Sequence, residues 1–166
     1  MKTTRGLKVP AVLITVSLII LLLPVTVLII QDQSGNTRLI IPLIPDKDFS
    51  VEYIHSVHKT PVTEFFTVTS DNNIKLVAVE FQSYGAGMPF LPSEGTFTYT
   101  GDAFMLTGLD REAPEIILGY SPAEGQGVRH NKRLYLLKYY YYAPGSAVEI
   151  KAVSQPLFMT LLKRSG

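Results

Sequence analysis

The chain has 166 residues, 46% of them hydrophobic, and a net charge of +1. This allows one domain, or a small domain with an anchor, and leaves no global field to attract nucleic acid. There is no cysteine, which excludes disulfides, iron–sulfur clusters, thiolate zinc sites, a cysteine nucleophile and an acylated-cysteine lipoprotein anchor.

At the N-terminus, Lys2, Arg5 and Lys8 precede a run from Val9 to Ile30, "VPAVLITVSLIILLLPVTVLII", that contains no charged residue. As one helix it would span roughly 30 Å, the thickness of a bilayer core. It lacks a polar face, so it does not read as a surface helix of a globular core. It is longer than the apolar region of a secretory signal, and "VLIIQDQSG" offers no small-x-small cleavage site. Pro10 falls in the first turn, and Pro24 would kink the helix, as membrane helices tolerate. The reading is therefore an uncleaved transmembrane signal anchor over 9–30. The basic residues before it keep residues 1–8 in the cytoplasm and place the rest outside the cell membrane.

Residues 31–36 read as a short polar linker. From 37 to 166 the chain alternates short Val-, Ile-, Phe-, Tyr- and Thr-rich runs with Pro, Gly, Asn and Asp. That pattern predicts an all-β extracytoplasmic domain, a sandwich or partly closed barrel containing an antiparallel meander. One C-terminal segment, "SQPLFMTLLKR", fits either a helix capped by Ser154 or a last strand. Tyr139 to Tyr142 would alternate between faces if it is a strand. The "GVRHNKR" segment around His130 reads as a polar loop.

The richest polar stretch is "YIHSVHKTPVTEFF", residues 53–66. With His58 to Pro61 as a four-residue loop, Val57 faces Val62, His55 faces Glu64 and Tyr53 faces Phe66. With Asn72-Asn73 as a two-residue turn, Val68 meets Val77, Phe66 meets Val79 and Glu64 meets Phe81. One face of the meander is then apolar except for His55 and Glu64. A carboxylate on such a face is costly unless paired, and a directly opposed imidazole can reach it. The pair is either a register-fixing hydrogen bond or a carboxylate-oriented histidine that binds a ligand or acts as a base. Ser56 points away from His55, which makes a poor Ser-His dyad. Lys59 and Thr60 read as loop residues and Pro61 as the end of the loop. His58 and His130 add no convincing metal set. No catalytic residue, metal ligand or cofactor is assigned.

The second notable stretch is "SYGAGMPFLPSEG", residues 83–95. Gly85 and Gly87 permit unusual backbone angles or close approach. It lacks the Gly-Lys-Ser/Thr of a phosphate loop and the G-x-S-x-G of a nucleophile elbow. It is either a rigid turn between sheets or a loop folded over the His55–Glu64 pair.

Together the two stretches resemble the DUF1850 family of small bacterial and archaeal proteins, whose members share H-S-V-x-K-T-P-V-x-E and G-A-G-x-P patterns. The matching positions are His55, Ser56, Val57, Lys59, Thr60, Pro61, Val62 and Glu64, then Gly85, Ala86, Gly87 and Pro89. The resemblance brings no established biochemical activity and no catalytic residue to carry over. It implies an accessory role at a TAXI-type TRAP transporter, which imports small organic acids with a soluble binding protein. The expected partners are thus the membrane, through one helix, and a transporter permease or its substrate-binding protein. The alternative is a small-molecule-binding domain or enzyme that uses His55 and Glu64 beneath the glycine-rich loop.

Overall fold

The computed structural model describes residues 8–82, 95–140 and 143–164. Its first feature overturns the expected anchor boundaries. The uncharged run divides at Leu23: α1 spans Lys8–Leu22 and β1 spans Pro24–Asp32. Pro24 has no amide hydrogen to continue a helix. The residues after it, "VTVLII", are mostly β-branched and suit a pleated strand. β1 lies between β2 (Thr37–Pro42) and β11 (Ala147–Pro156), so Val27, Leu28 and Ile30 have no exposed surface. Residues 24–32 are therefore part of the folded domain, not of a helix over 9–30. Among the described residues, no helix is long and apolar enough to cross a membrane.

The expected linker at 31–36 is a β-turn region built on Asp32. The Asp32 carboxylate accepts from the Ser34 amide (2.9 Å), the Asn36 amide (3.0 Å) and Arg38 Nη2 (2.7 Å). Burial raises its pKa, but these donors outweigh burial and hold it at about 2 instead of 3.8. A depressed carboxylate stabilises the fold above its unfolded pKa and loses that contribution as pH falls through the folded value. Asp32→Ala is expected to lower the melting temperature at neutral pH. The difference from wild type should close between pH 4 and pH 2, as followed by circular dichroism.

Two antiparallel sheets share the core. The four-stranded sheet runs β2-β1-β11-β8, with β8 at Glu115–Gly119. The seven-stranded sheet runs β10-β9-β3-β4-β5-β7-β6. Its strands are β3 (Asp48–Ile54), β4 (Pro61–Val68), β5 (Ile74–Phe81), β6 (Thr96–Tyr99), β7 (Phe104–Ala113), β9 (Gly127–His130) and β10 (Arg133–Leu136). Both sheets keep open edges, so the domain is not a closed barrel. The core joins Leu28, Ile41 and Ile150 of the small sheet to Val51, Phe66 and Val79 of the large one.

Three further expectations change. Tyr139 and Tyr140 do not alternate on a strand: β10 ends at Leu136, and Leu137–Tyr139 forms a single 3-10 turn. Tyr141 and Tyr142 lie outside the described residues. Ser154 does not cap a helix, because β11 continues to Pro156 before α2 (Leu157–Arg164) begins. "GVRHNKR" is a β9–β10 hairpin with Asn131 in a left-handed turn conformation (φ 54°). Its His130 is buried. The Nδ1–H donates to the Asp48 carbonyl at 2.8 Å, leaving Nε2 to accept from the Ile44 amide (3.2 Å) and Asn131 Nδ2 (3.0 Å). The imidazole thus ties the segment after β2 to the start of β3 and the tip of the β9–β10 hairpin.

Candidate functional site

These ties define two ends of the domain. At one end, Pro24 pairs with Pro156, and the Leu157 amide donates to the Leu23 carbonyl at 3.0 Å, so α1 and α2 leave side by side. The His130 cluster brings Ile44, Asp48 and Asn131 to the same end. β3 starts there at Asp48, and its seven residues carry the chain roughly 20 Å away. β4 begins at the far end with Pro61, and β5 ends there with Phe81, which pairs with Val62.

The far end holds the first motif. The loop is longer than expected, running from His55 to Thr60 between the paired residues Ile54 and Pro61. His55 closes it. Its amide donates to the Thr60 carbonyl (2.8 Å) and its carbonyl accepts from the Lys59 amide (2.9 Å). Its Nδ1 accepts from the amides of Val57 and His58, both at 3.3 Å. Lys59 takes a left-handed conformation (φ 56°) to make the return. Ser56, Val57 and Lys59 are exposed. The His55 ring lies 5.0 Å from that of His58.

The expected His55–Glu64 pair does not form. Glu64 stands opposite Val51, Tyr53 stands opposite Val62, and Val57 is 73% exposed instead of facing Val62. A six-residue loop shifts the register because His55 is spent on capping the turn. The partner of Glu64 is Tyr53, whose hydroxyl donates to Oε1 at 3.1 Å. Glu64 is half-buried on the inner face, with Val79 on its other side. Desolvation pushes its carboxyl above the usual 4.5, and the tyrosine hydrogen bond partly opposes this. Tyr53 was legible only as an inner-face aromatic. No local pattern distinguished a hydroxyl donor diagonal to Glu64 from an imidazole opposite it.

The second turn also departs from expectation. Val68 pairs with Ile74, and a bulge near Phe65/Phe66 restores phase so that Glu64 pairs with Val79. The inner residues of β5 are Ile74 and Leu76, then Val79 and Phe81, with Val77 as the extra residue. Beyond Phe81, the far end continues as an aromatic row. Phe81 lies 5.7 Å from Phe104, which lies 4.8 Å from Tyr99. Gly85, Ala86, Gly87 and Pro89, the second motif, lie outside the described residues. The strand that leads into them ends beside Val62, at the same end as the His55–Thr60 loop.

Among the described residues, no group of three or more His, Asp or Glu could hold a metal ion. The far end carries a partly exposed polar loop and an aromatic row, while Glu64, its carboxyl held toward the neutral form beside a phenol, lies mid-strand on the inner face.

A two-sheet, open antiparallel β-domain is the class that these features define. The chain belongs to the DUF1850 family, a domain of unknown function, whose pattern matches residues 49–137, just over half of the chain. That segment contains, apart from Asp48 at the start of β3, every strand of the seven-stranded sheet together with β8. No curated protein and no solved structure matches the chain.

Proposed function

We propose that this protein is a membrane-anchored, extracytoplasmic interaction module that presents its motif end to a transporter component. The observation that carries the reading is the surface of α1. Val12, Leu13, Ile14, Leu18, Ile19 and Leu22 are each between 56% and 64% exposed, an apolar surface far larger than a solvated helix sustains. The 15 residues of α1 rise about 22 Å, about three quarters of a bilayer core of about 30 Å, so the anchor reading takes α1 as inserted in the membrane. Lys2, Arg5 and Lys8 favour a cytoplasmic N-terminus, which leaves the β-domain outside. Only Leu23 separates α1 from β1, so the domain stands directly on the membrane with its motif end directed away. The family resemblance supplies the partner class: the permease or soluble binding protein of a TAXI-type TRAP transporter.

The test is affinity recovery of the tagged full-length protein from its native membranes in mild detergent, with mass spectrometry of what accompanies it. A permease or soluble binding protein is expected with the wild type. It should be lost when Lys59 and Thr60 are replaced by alanine, while the variant still fractionates with membranes. Reproducible recovery of the protein alone, with crosslinking, would sink this reading. It would favour a small-molecule site at Glu64 and Tyr53 instead.

A further inference from the structure

The anchored end carries a cleft that the interaction reading does not use. It has a volume of about 520 Å³ and lies between the β9–β10 hairpin tip, the segment after β2, and α2. Pro42, Ile44, Leu157 and Leu161 form an apolar floor, and Lys132 and Arg133 stand at the hairpin side. None of the described residues that line it is acidic; the carboxylate of Asp46 lies 4.0 Å from His130 Nδ1, outside the lining. Ile44 is 52% exposed and Leu161 49%, so the floor is open rather than filled by the protein's own side chains. Arg133 is held in place, with its guanidinium 4.7 Å above the Tyr135 ring.

The cleft also has a fixed relation to the membrane helix. Leu157 lines it, and the Leu157 amide is bonded to the last carbonyl before β1, that of Leu23. His130, which clamps Ile44 and Asn131, sets the spacing between the apolar floor and the two cations. Phe158, Met159 and Leu162 of α2 add further exposed apolar surface next to the cleft-lining Leu157 and Leu161.

We propose that this cleft binds one anionic membrane lipid, with its acyl chain along Pro42, Ile44, Leu157 and Leu161 and its acidic headgroup at Lys132 and Arg133. The inference rests on the reading that α1 sits in a bilayer, because that is what brings the cleft to the level of lipid headgroups. An apolar floor with two cations on one side and no carboxylate among its described lining residues selects an anionic amphiphile over a zwitterionic one. The lipid would then fix how the domain stands on the membrane, and so where the His55–Thr60 loop is presented.

The experiment is native mass spectrometry of the full-length protein in a neutral detergent, with dioleoylphosphatidylglycerol, dioleoylphosphatidylcholine or oleate added in turn. The wild type is expected to retain a single phosphatidylglycerol molecule at concentrations where phosphatidylcholine gives no adduct. Lys132→Gln with Arg133→Gln should weaken that adduct about tenfold. The swap Lys132→Arg with Arg133→Lys should keep it, and so should Lys138→Gln, which removes a charge away from the cleft. Equal adducts with phosphatidylcholine, or an adduct indifferent to the double glutamine variant, would overturn the site. An adduct with oleate but not with phosphatidylglycerol would overturn its assignment to a membrane lipid. Membrane fractionation of the same variants separates the two ideas. Intact fractionation without a specific adduct removes the site alone, whereas a specific adduct on a protein that does not fractionate with membranes removes the anchor.

Discussion

A protein that begins at Thr37 is expected not to fold, whereas one that begins at Leu23 is expected to fold with a cooperative melt. The first boundary is where the sequence places the domain, after an apolar run and a polar linker. It removes β1, which pairs with β11 along nine residues and with β2 along its other edge. Val27, Leu28 and Ile30 go with it, each without exposed surface. Burial of such side chains stabilises by roughly 1.5–3 kcal/mol apiece, so their loss alone costs about 5–9 kcal/mol. That is comparable to the whole stability of an ordinary domain, about 5–15 kcal/mol. The deletion also strips the backbone partners from β2 and β11 and splits the small sheet at its centre. The second boundary removes only α1, whose apolar side chains are exposed rather than packed in the core. Thermal melts of the two truncated proteins, followed by circular dichroism, would decide the matter. A cooperative melt for the protein starting at Thr37 would show that β1 is dispensable.

The misplaced boundary has a physical cause. A run without charges satisfies a bilayer and a central strand equally well, since both bury every side chain. The distinguishing signal lay in which apolar residues occur. "LIILLL" before Pro24 is mostly unbranched at Cβ and favours helix, while "VTVLII" after it favours strand. The meander was legible in a different way. Its inner face was assigned correctly at Val51, Tyr53, Val62, Glu64, Phe66, Val79 and Phe81. Its β3–β4 pairings were not. The expected and observed registers differ by an even number of residues, and an even slip leaves every side chain on its own face. Hydrophobic alternation therefore fixes faces without fixing partners. The partner is decided by the length of the loop, and that length depends on one imidazole accepting two backbone amides, which no pattern announces. The β4–β5 turn fails for a related reason. A bulge adds one residue, so the apolar positions change phase within β5, and a strict alternation cannot follow them.

Glu64→Gln is expected to raise the melting temperature at pH 8 and to leave it unchanged near pH 4. The carboxyl of Glu64 titrates above its ordinary 4.5 in the folded protein because burial disfavours its charge. A group with a raised folded pKa contributes stability that is fully present below the unfolded pKa and is lost as pH rises through the folded value. Wild type should thus lose stability as pH climbs above about 4.5. This is the opposite of the trend at Asp32, whose effect lies in the acid below pH 4. Glutamine keeps an oxygen to accept the Tyr53 hydroxyl and removes the charge. The gain at pH 8 should be on the order of 1 kcal/mol, or roughly 2–4 °C for a chain of this size. Tyr53→Phe supplies the converse. Without the phenol, nothing opposes desolvation, so the decline between pH 5 and pH 8 should steepen. Parallel pH profiles for wild type and Glu64→Gln would show that Glu64 is solvated and unperturbed in the folded state. A carboxylate that weakens its own fold at neutral pH is poorly explained by packing, because glutamine or leucine would serve the inner face better. Among the described residues, Tyr53 is the donor that offsets this cost within the fold, which is why its removal and the removal of the charge are expected to act in opposite directions.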